Sequence, residues 1–364
     1  MKLIFNSKEL QIQLSQIEGA VGNNKTLPIL EYALFKIRDG LLTISAFDNE
    51  KQITSKVPMQ AEDIQFTVPF KKLNSILKSV EQTEVVMSVN DMEVLLKIGR
   101  SNFKLKCMPS EDFPSINLGE SSGRFKLPRD KFVKLLKDVQ FSMANQDVRY
   151  FLNGICLEIE GTSIKSISTD GHRLSLSESE LNDSSCENTR IIIPRDAVAP
   201  LINNLSGSSD EIEVSYSLNS LTIQTDFVDI SVLLIDGQFP DYKRVIPRNN
   251  TNVVKTTRSE LLQVLKQASI LADEKFRGVR LGLETNNIVV SSNNRVQESF
   301  SDSLIVDYRG EMFEIGFNVQ YLVEAINACP SEDIVINLLN NVTSVTIQSP
   351  DSLEVVLVVM PMRL

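Results

Sequence analysis

Between Pro128 and Val139 the chain reads PRDKFVKLLKDV, with Phe132, Leu135, Leu136 and Val139 at i, i+3, i+4 and i+7. This spacing predicts an α-helix with one apolar stripe turned to a core, while Arg129, Lys131, Lys134 and Lys137 fall largely outside the stripe. The same template recurs at Leu10/Leu14/Ile17, Leu73/Ile76/Leu77/Val80, Val198/Leu201/Ile202/Leu205, Leu261/Val264/Leu265/Ala268 and Leu322/Ala325/Ile326/Cys329; only the first copy misses a position, with Gln13 at i+3. The six starting positions are separated by 63, 59, 66, 63 and 61 residues. Such a regular period marks an internal repeat.

Each helix is followed by an alternating apolar run, a short Asn-, Asp- or Gly-rich turn and a second alternating run. In the first repeat these are Tyr32 to Ile37, Asp39-Gly40 and Leu41 to Ala46, the signature of a β-hairpin. The corresponding turns are Asn90-Asp91, Glu160-Gly161, Asn219-Ser220, Asn286-Asn287 and Asn340-Asn341. A lone helix on a lone hairpin buries too little apolar surface to fold. Pairs of repeats give an α+β architecture of three similar domains of about 120 residues, near the usual domain size. Boundaries are expected at 1–120, 121–245 and 246–364, with Ser110 to Pro114 and Asp236 to Tyr242 as the connecting segments.

Composition narrows the class. Apolar residues make up 42% and charged residues 23%, which is ordinary for a globular protein. The N-terminal MKLIFNSKEL lacks the apolar core of a signal peptide, and Val355 to Met360 is too short for a helical span of about 20 residues, so a cytoplasmic address is expected. Cys107, Cys156, Cys186 and Cys329 are scattered without a CxxC pair, which suits reduced structural thiols. With His172 the only histidine, no two-histidine metal site can form within one chain, and no metal or cofactor is expected. A net charge of −10 argues against non-specific attachment to nucleic acid.

Several segments carry candidate chemistry. Ser168, Asp170 and His172 lie within five residues, yet triad members normally come from distant segments and no GxSxG elbow surrounds Ser168; a tight polar hairpin is the better reading. A phosphate-binding glycine loop is also missing, so an enzyme is not expected. Pro200, inside the fourth helix, should kink or shorten it. The lysine-bearing strand Asn102 to Met108 suits an edge, either protected or pairing with another subunit.

Thr169-Asp170-Gly171-His172-Arg173-Leu174, Phe239-Pro240-Asp241-Tyr242, Glu274-Lys275-Phe276-Arg277-Gly278-Val279-Arg280 and the terminal Met360-Pro361-Met362-Arg363-Leu364 closely resemble the bacterial sliding clamps, the β subunits of DNA polymerase III. The resemblance covers the whole length. It implies the DNA clamp fold and a head-to-tail homodimeric ring with helices inside and sheets outside. The implied function is a non-enzymatic processivity factor that encircles duplex DNA and tethers the replicative polymerase. A repeat-built protein adaptor that never encircles DNA is the competing reading.

Helices facing a central hole can contact phosphate without reading bases. Lys71, Lys72, Arg129, Lys131, Lys134 and Lys137 are the candidates on that ground, whereas the sixth helix is almost without basic residues. The resemblance adds Asn24, Lys25, Gln146, Tyr150, Phe151 and Arg195. Phe151 stands where a second tyrosine is common, and Asp196 follows Arg195 where the family can carry another basic residue.

The resemblance also implies a groove receiving short peptides from polymerases, the clamp loader and repair proteins. One part comprises Leu152, Thr169, Gly171, His172, Arg173, Leu174, Pro240, Arg244 and Val245. The other comprises Phe276, Asn318, Tyr321, Val342, Ser344, Val358, Met360, Pro361, Met362 and Arg363. Apolar walls with flexible methionines suit several related anchors. The implied subunit interface holds Phe103 and Leu105 on the 103–107 edge, and Ile270 and Leu271.

Overall fold

A computed structural model describes residues 1–23, 26–81, 83–90, 92–184, 187–247 and 250–363. The helical stripes form the helices their spacing predicts, but each repeat holds two more strands than the hairpin pattern reveals. The order strand, helix, three strands occurs six times. Repeat one is β1 (Lys2–Asn6), α1 (Ser7–Ile17), β2 (Tyr32–Arg38), β3 (Leu41–Phe47) and β4 (Lys51–Pro58). Repeat two is β5 (Ile64–Pro69), α2 (Phe70–Lys78), β6 (Glu84–Asn90), β7 (Glu93–Ile98) and β8 (Ser101–Lys106). Repeat three is β9 (Gly123–Pro128), α3 (Arg129–Val139), β10 (Gly154–Glu160), β11 (Ser163–Thr169) and β12 (Arg173–Glu180), followed by the short β13 (Asp183–Ser184). Repeat four is β14 (Thr189–Pro194), α4 (Arg195–Leu205), β15 (Glu211–Tyr216), β16 (Ser220–Gln224) and β17 (Val228–Leu233). Repeat five is β18 (Asn252–Thr257), α5 (Arg258–Ile270), β19 (Gly278–Glu284), β20 (Asn287–Asn293) and β21 (Ser299–Ile305). Repeat six is β22 (Phe313–Asn318), α6 (Val319–Ala328), β23 (Asp333–Leu338), β24 (Val345–Ser349) and β25 (Ser352–Val359).

Two compact bodies are present, and neither is a continuous stretch of chain. The first comprises Met1–Val133, Leu181–Glu187 and Asp196–Ile235. It holds the sheets β1-β6-β7-β8 and β13-β9-β15-β16-β17-β4-β3-β2-β5. Leu10, Leu14 and Ile17 of α1, Leu73 and Leu77 of α2, and Val198, Leu201, Ile202 and Leu205 of α4 are buried there. Gln11 donates to the Leu77 carbonyl at 2.7 Å, and Asn204 to the Gln16 carbonyl at 2.9 Å, tying α1 to α2 and to α4.

Contrary to expectation, α4 is not shortened by its proline and runs through Pro200 to Leu205. The proline removes the N–H that would bond the carbonyl of Asp196 four residues back, and Asp196 is exposed, where water can satisfy it. The ring packs where Gly19 has no side chain: a Cβ there would stand 2.7 Å from Pro200 Cγ. In α2 the stripe also extends beyond the helix, which stops at Lys78 before Val80, with the Ser79 N–H donating to the carbonyls of Ser75 and Ile76.

The second body comprises Lys134–Glu180, Asn188–Arg195 and Asp236–Leu364. Its sheets are β14-β10-β11-β12-β25-β24-β23-β18 and β21-β20-β19-β22. The stripes of α5 and α6 form one core with Val279, Leu281, Ile315, Phe317, Ile347 and Leu357 from the strands. Hairpin turns depart from the sequence reading in detail. Asp39 and Gly40 both adopt positive φ, at 52° and 76°, as a two-residue hairpin turn requires. Ser220 and Asn287 instead begin strands β16 and β20, and Asn340 opens a loop whose Val342 and Thr343 N–H groups its side chain accepts. Asp91 lies outside the described residues.

The cysteines Cys107, Cys156 and Cys329 are free and buried. Burial pushes their thiols up to about 11, 12 and 12 respectively. Cys186 lies outside the described residues.

Candidate functional site

The turn joining β11 to β12 is built by two side chains. Thr169 donates its hydroxyl to the Arg173 carbonyl at 2.6 Å and accepts the Gly171 N–H at 3.1 Å. Asp170 Oδ1 accepts the N–H groups of His172 and Arg173 at 2.9 and 3.1 Å, an Asx turn closed by the glycine at φ +90°. Arg149 braces it from outside, donating to the Asp170 carbonyl at 3.2 Å. Its side-chain hydrogen bonds to Asp147 hold that carboxyl down at about 2.

Arg173 anchors the site. Its Nε donates to Asp170 Oδ2 at 3.1 Å, Nη1 to Glu324 and Nη2 to the Phe141 carbonyl at 2.7 Å. The guanidinium also lies 5.3 Å from the Phe141 ring centre and 4.7 Å from that of Tyr321. With the residue only 8% exposed, a buried cation is here fully paired and stacked. His172, exposed beside it, stacks on Tyr321 at 5.9 Å with the rings 17° apart. Burial raises the Tyr321 pKa, with Asp170 adding to the rise.

The tail enters from the neighbouring strand. β12 pairs with β25, placing Arg173 opposite Val359 and Leu174 opposite Val358. Beyond β25, Met360 N donates to the His172 carbonyl at 2.9 Å and Met362 N to the Gly316 carbonyl at 2.8 Å. The resulting surface keeps Met360, Pro361 and Met362 partly open. Leu152, Leu174 and Val358 are buried beneath. Asn318 caps α6 by accepting the Gln320 and Tyr321 N–H groups, which fixes the start of the helix that carries Tyr321. Val342, Pro240 and Arg244 are exposed, Ser344 and Val245 are partly so, and Arg244 pairs with Asp241 at 2.8 Å. Leu364 lies outside the described residues.

Ser168 does not reach His172; buried, it donates to the Val139 carbonyl. Asp170 is engaged by backbone and Arg173. The geometry is that of a turn, as the hairpin reading expects.

The Phe239-Pro240-Asp241-Tyr242 segment is held by burial. Phe239 is a core residue, and the buried Tyr242 hydroxyl donates to Glu158 Oε1 at 2.7 Å. Arg190 and Lys243 pair with the same carboxylate.

The basic candidates divide into two groups. Lys71, Lys72, Lys131 and Lys137 are exposed, with Lys71 Nζ donating to Asn23 at 3.2 Å. Lys134 pairs with Asp138 at 2.8 Å and Glu354 at 3.8 Å. Arg129 donates to the Leu205 and Asn204 carbonyls, both at 2.9 Å, and so caps the end of α4. Arg195 likewise holds the carbonyls of Met143 and Ala144 at 2.9 and 3.2 Å. Gln146 (φ 55°) and Tyr150 are exposed, and Tyr150 meets Phe151 edge-on at 5.7 Å. Asn24 and Lys25 lie outside the described residues.

Sequence reasoning missed Glu324, Asp170 and Phe141 as the partners that hold Arg173. Glu324 follows Gln320 and Tyr321 at helical spacing on α6, and Gln320 does bond to it; that spacing was the available signal. Among the described residues no helix is long and apolar enough to cross a membrane. Among them no group of three or more potential ligands could hold a metal.

Models of the DNA polymerase III beta subunit match residues 1–117 (N-terminal domain), 126–241 (central domain) and 243–363 (C-terminal domain). A Salmonella typhimurium beta sliding clamp is 37% identical over 368 residues, covering all of both chains. The crystal structure of DNA polymerase III subunit beta from Pseudomonas aeruginosa superposes with a TM-score of 0.95 at 32% identity, again over all of both chains. A DnaN sliding clamp from the same organism, bound to griselimycin, superposes with a TM-score of 0.96 at 32% identity and equal coverage. The adaptor reading has no support among these relatives. With all three domain models matched in order and full-length relatives at this identity, the chain belongs to the DNA polymerase III beta subunit family, the DNA sliding clamps that serve the polymerase as non-enzymatic processivity factors.

Proposed function

We propose that two copies of this chain join head to tail into a ring around double-stranded DNA in the cytoplasm. One observation carries the reading. The last strand of repeat three, β12, pairs with the last strand of repeat six, β25. In the same way β17 of repeat four pairs with β4 of repeat one. The equivalent strands of repeats two and five, β8 and β21, are sheet edges. An edge presents unpaired backbone donors and acceptors, and the internal rule supplies its partner: β8 of one copy against β21 of another. Two such junctions close a twofold ring. Apolar contacts from Phe103, Leu105, Ile270 and Leu271 belong to this interface.

Inside, Lys71, Lys72, Lys131 and Lys137 offer sequence-blind contacts to phosphate, joined by Asn24, Lys25, Lys134, Gln146, Tyr150 and Phe151. Arg129 and Arg195 already hold carbonyls, so their contribution is chiefly to position neighbouring backbone. Retention comes from topology, and weak contacts permit sliding. The surface around His172, Tyr321 and Met360 to Arg363 receives short peptides of the replicative polymerase, clamp loader, other polymerases and repair proteins. The griselimycin complex of the Pseudomonas clamp supports a ligand-taking surface in this fold.

The test is retention on nicked circular DNA after loading with a compatible clamp loader and ATP. Survival through a high-salt wash, followed by release on linearisation, is the expected result. Equal loss from circular and linear DNA would leave only charge-mediated contact.

A further inference from the structure

A cavity of about 450 Å³ lies beside the tail in the second body, lined by Asp273, Phe276, Arg280, Arg295, Met362 and Arg363 among others. Its charge is opposite to that of the chain. Three guanidinium groups face one carboxylate, within a protein of net charge −10. The carboxylate is already engaged: Asp273 Oδ1 accepts the Lys275 and Phe276 N–H groups, each at 3.0 Å, and Oδ2 pairs with Arg295 at 2.8 Å. Arg280 faces Glu314 only at 3.7 Å. Among the described residues, no carboxylate stands within ion-pair distance of exposed Arg363.

The aromatic in this cavity is fixed rather than loose. Asp273 clasps the backbone on which Phe276 sits, and Arg277 follows at φ 50°. Arg295 and Lys275 place their charges 5.7 and 5.3 Å from the Phe276 ring centre, although the residue is 49% exposed. A fixed aromatic face surrounded by cations suits an apolar stem ending in an anion.

We propose that this cavity binds acidic residues flanking the apolar anchor of a clamp-binding peptide. The inference rests on the groove reading above, because Phe276, Met362 and Arg363 belong to both surfaces and make them continuous. That continuity, together with Phe276, favours a peptide carboxylate over a nucleic-acid phosphate. Arg280 and Arg295 are thereby specificity residues: they select among peptides that share an anchor.

The experiment starts from a peptide selected by display on the whole protein and displaced by griselimycin. It is extended at either end with Asp-Glu-Asp or with Asn-Gln-Asn, and binding is read by fluorescence polarisation. At about 50 mM salt the acidic extension at one end should bind roughly five-fold tighter than its neutral counterpart, and the advantage should vanish near 0.5 M. Arg280→Gln should reduce the advantage, and Arg280→Gln with Arg295→Gln should abolish it. The unextended peptide should bind the unchanged protein and Arg280→Gln equally, and circular dichroism and melting report that all forms are folded. Arg280→Gln alone leaves the Asp273–Arg295 pair in place, separating lost charge from a loosened loop. Equal affinity of acidic and neutral extensions at both ends would overturn the proposal, as would an advantage that persists in the double variant. Should a single-stranded oligonucleotide lose binding in the variants while acidic extensions gain nothing, the cavity is a phosphate site and the proposal falls. Failure to obtain any peptide that griselimycin displaces would instead overturn the groove reading, and this inference with it.

Discussion

Arg173 and Tyr321 are joined across sequence by a guanidinium set 4.7 Å from the ring centre, with Glu324, one helical turn beyond Tyr321, pairing with the same cation. A strand residue thereby sets the position of a helix residue at the proposed peptide surface. Removing it leaves Asp170 and Glu324 without their partner beneath the site. Arg173→Ala is expected to destabilise the protein by about 3 kcal/mol in urea denaturation, because breaking a largely buried pair costs more than the pair contributes. Arg173→Lys should recover less than half, since an ammonium cannot donate to Asp170, Glu324 and Phe141 from one planar fork. On the proposed groove reading, peptide binding at this surface should weaken in both variants, more than the stability loss alone explains.

Gly171 carries the turn that presents His172. At φ +90° an L side chain is strained, and a Cβ would stand 3.0 Å from Arg149 Nη2, the movable end of a long side chain. Backbone strain should therefore dominate over the contact. Gly171→Ala is expected to cost about 1 to 2 kcal/mol in thermal or urea unfolding. Removing the guanidinium as well, in Gly171→Ala with Arg149→Ala, should not restore stability. Full rescue by the second change would show that the contact, not the backbone, is the cause.

The six helices were legible because their burial is one-sided and therefore periodic. The last strands of the repeats were legible only in part: Asn102 to Met108 could be read as the edge that β8 forms, whereas in β12 Ser175 and Ser177 are as buried as Leu174 and Leu176, so its alternation of residue types marks no exposed face. In β21 the failure is opposite, because SFSDSLI is mostly exposed and reads as a loop. These are the strands whose pairings organise the sheets, so the hairpins could be read and the long sheets could not. At the site, the turn residues Thr169 to Leu174 were found through their resemblance to a family. The Arg173–Glu324 contact spans 151 residues, and the spacing of Glu324 from Gln320 within α6 is a signal for the helix face but not for its distant partner. The basic residues were legible as charge alone; only geometry distinguishes Arg129 and Arg195, which hold carbonyls, from Lys131 and Lys137, which are exposed.

Glu158 gives the fold an acid-sensitive joint. Burial alone would raise its pKa, but the Tyr242 hydroxyl, Lys243 and Arg190 outweigh that effect and leave it below the ordinary glutamate value of 4.5. A depressed folded-state pKa stabilises at pH values above the unfolded-state value, and the contribution is lost as pH falls through the folded one. Stability should therefore decline below about pH 4.5 in a set of denaturation curves. Glu158→Gln is expected to be less stable near neutrality and to show a shallower decline in acid. Parallel curves for the two proteins would remove Glu158 as a contributor to the acid response.

The proposed interface can be tested apart from the fold because its residues differ in how buried they are within one chain. Leu105 is 7% exposed, so truncating it would damage the first body's core and a lost dimer would prove nothing. Ile270, by contrast, is 77% exposed at the end of α5, and the next residue, Leu271, is partly open. A large apolar side chain so open makes little contribution to the core and gains its value only when another surface covers it. Ile270→Ala with Leu271→Ala should consequently leave the melting of the isolated chain almost unchanged. It should weaken the dimer by about 2 to 3 kcal/mol, roughly a 30- to 150-fold rise in the dissociation constant, from the apolar area no longer buried. Sedimentation across a dilution series measures the constant, and retention on nicked circular DNA should shorten in proportion. An unchanged constant in a normally folded double variant would place the junction elsewhere on the β8 and β21 edges.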